Sequence, residues 1–501
     1  MRPSSLTFGR TTDTPVGSFF ILMKKRTLLG LFSAGLLLAF RPALPPTEVL
    51  KIEALQELQA HYAEYQQVAQ RIWGFAEVGY KETKSSALLQ ETLRKNGFTV
   101  QAGVADIPTA FVATYGSGQP VIGILAEYDA LPGLAQQAVA TKTPIAGQDA
   151  GHGCGHNLFG TASVAAGIEL KKLLKEGKLH GTVKVYGCPA EEGGSGKVYM
   201  VRAGLFNGVD AVLHWHPSSH NSTMVGKYIA NTSAKFRFHG IAAHAAAAPE
   251  RGRSALDGVE AMDNMVNMMR EHVPQETRIH YVITGGGKAP NVVPDFAEVY
   301  YYVRHPNRAE VETVFARVVK AAEGAALGTG TTMDYEIIGG THDLLLNETL
   351  AHALQRNLEQ VGGVSYTPEE AAFGEKIQAS LGVPAPPVAQ ASEVLPYTLR
   401  DLGGSSDVGD VSYVVPTVGL AAATWIPGTP AHSWQAVVCS GQEIGTKGMM
   451  VAAKTMALTA IDLFSDAELV AKAKAELKQK VGSYVYKPLL GDRKPALNYR
   501  D

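Results

Sequence analysis

Six residues of types that bind metal ions occur in this sequence as two close pairs and two single histidines. They are Cys154, His156, Glu191, Glu192, His216 and His432. Thiolate, imidazole and carboxylate groups are common zinc ligands, and one spare carboxylate can act as general base toward a metal-activated water. The set predicts a metal-dependent hydrolase that attacks an amide bond.

The local sequence around the two pairs supports this prediction. Cys154 and His156 lie in the glycine-rich segment GHGCGHN, where glycine permits the backbone angles that turn both side chains to one side. The side chains of Glu191 and Glu192 must point in different directions, so one can bind metal while the other faces the water. Each residue alone would more often have an ordinary structural role, but the combination favours metal binding.

Length and composition indicate a globular enzyme with two domains. The chain has 501 residues, 46% of them hydrophobic, and a formal net charge of -2. That length exceeds one ordinary domain. No long run of one charge occurs, so we expect no bulk attraction to nucleic acid or to an anionic membrane. A small-molecule substrate is therefore expected. The three cysteines have no CxxC spacing and cannot form a disulfide framework.

The amino-terminal segment resembles an export signal. Met23 and the three basic residues 24–26 (KKR) precede an apolar run over 28–40, and the proline-containing segment 41–46 follows it. A run of about 13 residues is short for a membrane anchor and typical of a signal peptide. We therefore expect residues 1–47 to be an export signal and leader, and the protein to be periplasmic or secreted. The alternatives are an apolar tether or a wrongly assigned start codon, and the protein is cytoplasmic if the apolar run is not a signal.

Helix and strand patterns alternate after this leader, which favours an α/β sheet. Helical spacing is found over 48–71, 85–96 and 158–174, and strand-like runs are found over 109–115, 121–125, 182–186 and 211–215. Each candidate ligand follows a strand or precedes a helix. Since ligand crevices of open α/β sheets lie at the carboxyl ends of strands, the candidates can converge.

A second pattern lies between about residues 226 and 338. Its order is strand, helix, strand, strand, helix and strand, over 233–239, 254–271, 277–283, 296–303, 308–325 and 332–337. This order is typical of a ferredoxin-like module. We predict a catalytic domain in two parts, 48–225 and 339–475, an inserted domain over 226–338, a C-terminal tail over 476–501, and hinges near Gly226 and Gly339-Gly340.

Motifs for other chemistries are incomplete. Gly196-Lys197 resembles the end of a phosphate-binding loop, but Val198 stands where Ser or Thr is required and Glu191 stands at the first glycine position. The sequence has no G-x-S-x-G nucleophile elbow and no dinucleotide-binding fingerprint.

Six segments form an ordered set of motifs. They are 151–157 (GHGCGHN), 190–194 (AEEGG), 213–217 (LHWHP), 240–245 (GIAAHA), 291–294 (NVVP) and 428–434 (GTPAHSW). This set resembles the aminoacylase and glutamate carboxypeptidase superfamily of metal-dependent amidohydrolases, over about residues 64–463. Within it, the chain is most similar to the aminobenzoyl-glutamate utilisation protein B branch.

The resemblance implies a phosphorylase/hydrolase-like α/β catalytic domain with an inserted ferredoxin-like βαββαβ domain that acts as a lid and forms a dimer. It also implies two divalent metal ions, zinc or manganese. The implied ligands are Cys154, which bridges the ions, and His156, Glu192, His216 and His432. Glu191 is implied as the general base, and Asp129 as an acid that supports a ligand.

Further residues match the superfamily in the inserted domain. His244 is implied to stabilise the oxyanion, and Asn291 and Arg304 to contact the substrate, across a homodimer. For Arg304 a structural ion pair is the alternative. The chain departs from the superfamily at Asn157, where related enzymes have Asp, and at Glu127, which flanks Asp129.

The expected substrate is an N-acyl or aminobenzoyl amino acid or a small peptide, and a second related subunit is a candidate partner. Two alternatives belong to other classes. An exported metal- or ligand-binding protein on an inactive hydrolase scaffold would require loss of the base, yet Glu191 is present. A cysteine hydrolase using Cys154 and His156 is disfavoured because a thiolate that binds metal is not free to attack.

Overall fold

Two β-sheets with different strand arrangements organise the described part of the chain. The computed structural model describes residues 45–226, 228–399 and 403–500. The predicted export signal therefore lies outside the described residues, except for 45–47. Pro46 already belongs to the first helix.

The helices are α1 (Pro46–Ala60), α2 (Tyr62–Phe75), α3 (Thr83–Lys95), α4 (His156–Lys175), α5 (Gly196–Arg202), α6 (Ala255–Met269), α7 (Arg308–Thr329), α8 (Glu348–Val361), α9 (Pro368–Ala379), α10 (Val408–Ser412), α11 (Trp434–Ser440), α12 (Glu443–Ser465) and α13 (Ala467–Val481). The strands are β1 (Thr99–Ala102), β2 (Phe111–Ser117), β3 (Val121–Ala126), β4 (Gly181–Gly187), β5 (Ala211–Ser218), β6 (Ser222–Thr223), β7 (Ala230–His239), β8 (Arg278–Gly285), β9 (Phe296–His305), β10 (Thr332–Thr341) and β11 (Thr417–Ala423).

The larger sheet has the strand order β1-β2-β4-β3-β5-β11-β6. Its four central strands, β4, β3, β5 and β11, are parallel. Every residue of β11 is buried, as expected for a strand covered on both faces. Because the central strands run in one direction, their carboxyl ends meet at one edge of the sheet.

Helix α12 is a core element of this part of the protein. By length and composition it is the single helix among the described residues that could cross a membrane. It packs instead against α1, α4, α8 and β11, and most of its residues are buried. A core helix of this kind satisfies the same length and composition criteria.

The smaller sheet has the order β10-β7-β9-β8 and is antiparallel throughout. With α6 and α7, its elements follow the order β-α-β-β-α-β along the chain, so the predicted α/β fold with a ferredoxin-like module is confirmed. The two helices cover one face around a separate apolar core that contains Phe236 and Tyr301. On β9 the residues of the other face alternate with these buried ones and are half-buried.

Three boundaries differ from the sequence prediction. The helix expected over 48–71 is two helices separated at His61. The predicted hinge Gly339-Gly340 lies inside β10, because pairing with β7 continues past a bulge to Thr341, and Gly340 packs against Leu489. Helix α13 continues through the domain boundary predicted at 475.

The C-terminal segment, residues 482–500, has no helix or strand but packs closely on the rest of the protein. Leu490 is buried in one of the apolar cores. Arg493 donates a hydrogen bond to the carbonyl of Ile338 in β10 (2.7 Å), and Arg202 in α5 donates to the carbonyl of Gly491 (3.0 Å). This segment therefore links the smaller sheet to the larger one.

Candidate metal centre

The predicted ligands gather at the edge where the parallel strands end. Glu127 and Asp129 follow β3, Glu191 and Glu192 lie beyond β4, His216 is near the end of β5, His432 lies beyond β11, and Cys154 and His156 are at the start of α4. This is the position at which open α/β sheets form ligand crevices.

The loops that carry these residues adopt uncommon backbone conformations. His432 has a φ of 57°, which is unfavourable for a residue with a side chain. Its backbone N–H donates to the carbonyl of Gly153 (3.0 Å), which ties the His432 loop to the Cys154 loop. Ala190 has a φ of 56°, and its N–H is held by the buried carboxylate of Glu82 (2.8 Å). These contacts fix the loops on both sides of the cluster.

Ligand atoms of the cluster lie within 4.8 Å of one another in three groups. The groups are Cys154, His156 and His216; Cys154, Glu192 and His432; and Glu127, His156 and Glu191. The structure thus brings all five residues predicted as ligands together, with Cys154 shared between the first two groups. The Cys154 Sγ lies 3.4 Å from Nε2 of His216, and Nε2 of His432 lies 3.2 Å from Oε1 of Glu192.

The orientation of the histidine rings fits metal binding. His156 donates from Nδ1 to Oδ1 of Asp129 (2.9 Å), and His216 donates from Nδ1 to the carbonyl of Pro217 (2.7 Å). These bonds turn Nε2 of each ring toward the cluster, as in metal sites whose ligands are oriented by a second hydrogen bond.

Several buried atoms of the cluster have no hydrogen-bond partner in the protein. They are Nε2 of His156, Oε1 of Glu192 and Oε2 of Glu127. A buried polar atom without a partner is costly, and these atoms all belong to types that bind divalent cations. The donor set therefore fits a pair of such ions.

The Cys154 thiol is poorly suited to be a free nucleophile. It is 6% exposed, and burial, together with the nearby Glu192 carboxylate, raises the pKa of Cys154 well above its usual value. A neutral thiol is a weak nucleophile, whereas a bound cation would stabilise the thiolate. This electrostatic setting favours a metal ligand over the nucleophile of a cysteine hydrolase.

Glu191 has an environment suited to proton transfer. Burial, with the carboxylates of Glu127 and Glu192 nearby, raises the pKa of Glu191 well above that of an ordinary carboxyl. Glu191 also lines a cleft of about 170 Å³ between the larger sheet's loops and the smaller sheet. It is thus placed between the cluster and the space available to a substrate.

The opposite wall of this cleft is the half-buried face of β9. Tyr300, Tyr302 and Arg304 line it, and the guanidinium of Arg304 lies 5.2 Å from the centre of the Tyr302 ring. The Nε of Arg304 is buried without a hydrogen-bond partner. In the described part of the chain no carboxylate forms a salt bridge with Arg304, so the structural ion pair is not found.

His244 and Asn291 are not brought to the cluster. His244 is exposed, and its Nδ1 accepts hydrogen bonds from the N–H groups of Ala246 and Ala247 (both 3.2 Å). The carbonyl of Asn291 accepts from the N–H of Ala245 (3.0 Å). The two predicted substrate contacts therefore lie beside each other in the inserted module, away from the cleft of their own chain.

Sequence reasoning missed a buried ionic chain beneath the cluster. Lys197 is fully buried, and its Nζ lies 2.6 Å from Glu127 and 2.7 Å from Asp407. The sequence presents Lys197 only as the end of an incomplete phosphate loop. Asn157 is also structural: its side chain donates to the carbonyls of Ala69 (3.2 Å) and Ser440 (3.0 Å).

The C-terminal segment reaches the outer side of the same site. The hydroxyl of Tyr499 and the guanidinium of Arg500 both donate to the backbone carbonyl of Glu192, at 3.0 and 2.7 Å. The ring of Tyr499 packs on Tyr80, whose hydroxyl donates to the carbonyl of Gly194 (2.6 Å). No local pattern in the sequence indicated these contacts.

Comparisons with known proteins agree with this geometry. Residues 123–392, more than half of the chain, match peptidase family M20/M25/M40. The chain is 42% identical over 456 residues to one of the subunits of p-aminobenzoyl-glutamate hydrolase of Escherichia coli, covering 86% of this chain and 95% of that protein. It is 29% identical over 465 residues to the Xaa-Arg dipeptidase of Mus musculus, covering 88% and 96%.

A solved structure shares the fold. The dinuclear metal binding peptidase of the M20 family from Bacillus subtilis matches with a TM-score of 0.56 at 17% identity, covering 81% of this chain and 99% of that one. The family match and the identity to the Escherichia coli protein show that the chain belongs to peptidase family M20/M25/M40 and is a hydrolase of amide bonds.

Proposed function

We propose that this enzyme hydrolyses the amide bond between an acyl or aminobenzoyl group and an amino acid with a free carboxylate, with glutamate as the first candidate. The observation that carries this proposal is the composition of the cleft. Glu191 and Glu192 form one wall, and Arg304, which has no carboxylate partner among the described residues, belongs to the other. A substrate with a carboxylate near its amide can contact both walls.

The aromatic side chains of the cleft favour an aromatic acyl group. Tyr300 and Tyr302 offer ring faces against which an aminobenzoyl ring can pack. The name of the Escherichia coli relative supports the same substrate. The Mus musculus relative is named for dipeptides that end in arginine, and small peptides are therefore the second candidate.

Two divalent ions, zinc or manganese, are the cofactors we infer. Cys154, His156, Glu192, His216 and His432 would hold them, and Cys154 belongs to two of the ligand groups. Thiolate and imidazole ligands favour zinc, whereas the carboxylates keep manganese a candidate. When bound, such ions activate a water and polarise the substrate carbonyl.

The side chains of the protein supply the remaining chemistry. Glu191 takes a proton from the attacking water and passes it to the leaving nitrogen, and its raised pKa suits both transfers. Arg304 binds the substrate carboxylate and so orients the amide. The walls of the cleft limit the access of bulk water.

We propose a homodimer formed through the smaller sheet. Strand β8 is an edge strand, and its neighbourhood exposes large apolar side chains, among them Val282 (56%) and Met268 (73%). Such an edge readily pairs with another chain. A second copy could also bring His244 and Asn291 to the cleft, which their own chain does not do. The Escherichia coli relative is named as one subunit of its hydrolase, so a related second subunit is the alternative partner.

Light scattering on the purified protein tests the dimer. The Val282→Asp variant should shift the mass to that of one chain, because it places a charge on the exposed edge. The exposed Val383 (64%) offers a control on another surface, and Val383→Asp should leave the mass of the dimer unchanged. A wild-type protein whose measured mass is that of one chain would contradict the proposal.

We propose that the protein is exported, on the basis of the basic and apolar segments at 23–40. Fractionation of cells that produce the full chain tests this. The mature protein should appear outside the cytoplasm. Replacement of Leu36, Leu37 and Leu38 by charged residues interrupts the apolar run and should retain the protein inside. A wild-type chain found only in the cytoplasm would contradict export.

A substrate panel with defined metal content tests the reaction. The purified enzyme should cleave p-aminobenzoyl-glutamate and N-acyl glutamates faster than dipeptides that end in arginine. A chelator should abolish turnover, and zinc, cobalt or manganese should restore it. Activity that survives metal removal would instead support Cys154 as a nucleophile. A metal-loaded protein that cleaves none of these substrates would support the inactive scaffold.

A further inference from the structure

Glu127 is a buried carboxylate with one oxygen bound and one oxygen free. It follows β3 and is 1% exposed. Its Oε1 lies 2.6 Å from the ammonium of Lys197. Its Oε2 has no hydrogen-bond partner, although Nε2 of His156 lies only 3.1 Å away.

The contact between Glu127 and His156 satisfies the distance of an ion pair but not the direction of a hydrogen bond. Nδ1 of His156 already donates to Asp129, and Nε2 makes no hydrogen bond although Oε2 of Glu127 is close enough. Two ligands of one cation show this arrangement, because each lone pair points to the ion and not to the other ligand.

A second pair in the cluster has the same geometry. Oε1 of Glu192 lies 3.2 Å from Nε2 of His432 and is likewise buried without a hydrogen-bond partner. Both Glu192 and His432 belong to the inferred ligand set. The geometry between Glu127 and His156 is therefore the same as that between the two inferred ligands Glu192 and His432.

The balance of charge also favours a cation at this place. Glu127, Asp129 and Asp407 are each 1% exposed, and Lys197 is 0% exposed. Lys197 is shared between Glu127 and Asp407, so one positive charge faces three buried carboxylates. Buried charge without compensation is strongly unfavourable.

We propose that Oε2 of Glu127 is a further metal ligand, on the ion that Cys154, His156 and His216 bind. Lys197 is a positioning residue, because its bond to Oε1 turns Oε2 toward that ion. The proposal rests on the metal centre inferred under the proposed function. A carboxylate ligand increases the affinity of a metal site for manganese, relative to a site with thiolate and imidazole ligands alone.

Metal binding, measured without any substrate, tests the proposal. Zinc is titrated into the metal-free enzyme in competition with a chromophoric chelator, and bound metal is counted by mass spectrometry. The wild type should bind two equivalents. Glu127→Gln keeps the size of the side chain but removes its charge, and it should weaken one of the two equivalents about tenfold or more.

Asp407→Asn is the matched control. It removes the other carboxylate bonded to Lys197 but leaves Oε2 of Glu127 in place, so neither equivalent should lose as much affinity as the weakened equivalent of Glu127→Gln. An equal loss in both variants would show that the ionic chain is only structural and would overturn the proposal. Two unchanged equivalents in Glu127→Gln would overturn it as well.

Failure of the proposed function and failure of the variant to fold can both be distinguished from these results. A wild-type chain that binds no metal would contradict the proposed function itself. If Glu127→Gln does not fold by circular dichroism, Glu127→His offers one neutral ligand atom at the same position. That variant should bind two equivalents, and the loss of one despite a folded chain would overturn the role of Glu127.

Discussion

Asp129 and His156 form a 2.9 Å hydrogen bond between Oδ1 and Nδ1 at the base of the candidate metal centre. The other carboxylate oxygen of Asp129 accepts the backbone N–H of Glu192, also at 2.9 Å. One buried carboxylate therefore positions two of the inferred ligands, which come from different loops.

Replacement of Asp129 should weaken metal binding more than it affects the fold. In Asp129→Asn a single amide oxygen remains, so His156 and Glu192 can no longer both be held. Loss of such supporting contacts typically lowers metal affinity by about 10-fold to 100-fold. Chelator competition measures the affinity, and Asn at the exposed Asp492 is the control. Unchanged affinity in Asp129→Asn would show that the loops position the ligands without it.

Glu191→Gln should retain both metal ions and lose turnover. The amide has the size of the carboxylate but cannot accept the proton of the attacking water. General acid–base groups contribute about 10²-fold to 10⁴-fold, so kcat should fall in that range while metal content and KM change little. Mass spectrometry and steady-state kinetics measure the two quantities. An active, metal-loaded variant would refute the role of Glu191.

The convergence of the ligands was predictable from the sequence because each candidate stands at a recognisable place relative to a strand. Gly181–Gly187 and Ala211–Ser218 are strands whose carboxyl ends must share an edge in a parallel sheet. From that rule alone, Glu191 and His216 are expected to be neighbours.

Contacts made by packing between distant segments were not predictable. Lys197 and Asp407 are separated by 210 positions, and no local pattern links them. Gly339-Gly340 suggested a hinge because glycine pairs usually interrupt regular structure. Here the hydrogen bonds of β10 with β7 continue through both residues, so tertiary pairing outweighs the local preference.

Arg304→Met should raise KM for substrates with a free carboxylate. A charge-assisted hydrogen bond contributes about 1.5–3 kcal/mol, which corresponds to an increase of about tenfold to a hundredfold. Arg278 lies opposite Arg304 on β8, is exposed and does not line the cleft, so Arg278→Met is the matched control. Substrates with an amidated carboxylate should not distinguish Arg304→Met from the wild type. If the KM for the amidated substrates rises as much in Arg304→Met as the KM for the free carboxylates, Arg304 does not recognise the carboxylate.

Tyr499→Phe combined with Arg500→Met should speed the loss of metal from the enzyme. Both side chains donate to the carbonyl of Glu192, and each such bond contributes about 1 kcal/mol, so the rate of transfer to a chelator should rise about thirtyfold. Tyr484→Phe removes a hydroxyl of the same segment that contacts His342 instead (2.9 Å). That control should leave the rate unchanged, and equal rates in all three proteins would contradict the prediction.

Glu169→Gln should stabilise the protein at neutral and alkaline pH. Glu169 lies in α4, is 2% exposed, and its Oε1 has no hydrogen-bond partner. Burial raises the pKa of Glu169 from 4.5 to about 8. Between these two values the folded state binds more protons than the unfolded state, so the contribution of Glu169 to stability falls as the pH rises through this window.

Thermal unfolding followed from pH 4 to pH 9 tests this sign. The Tm of Glu169→Gln should match that of the wild type near pH 4 and exceed it increasingly up to about pH 8, because each pKa unit corresponds to about 1.4 kcal/mol. Glu375 is exposed, and Glu375→Gln should follow the wild type at every pH. Parallel curves for Glu169→Gln and the wild type would show that burial of this carboxyl does not affect the pH dependence of stability.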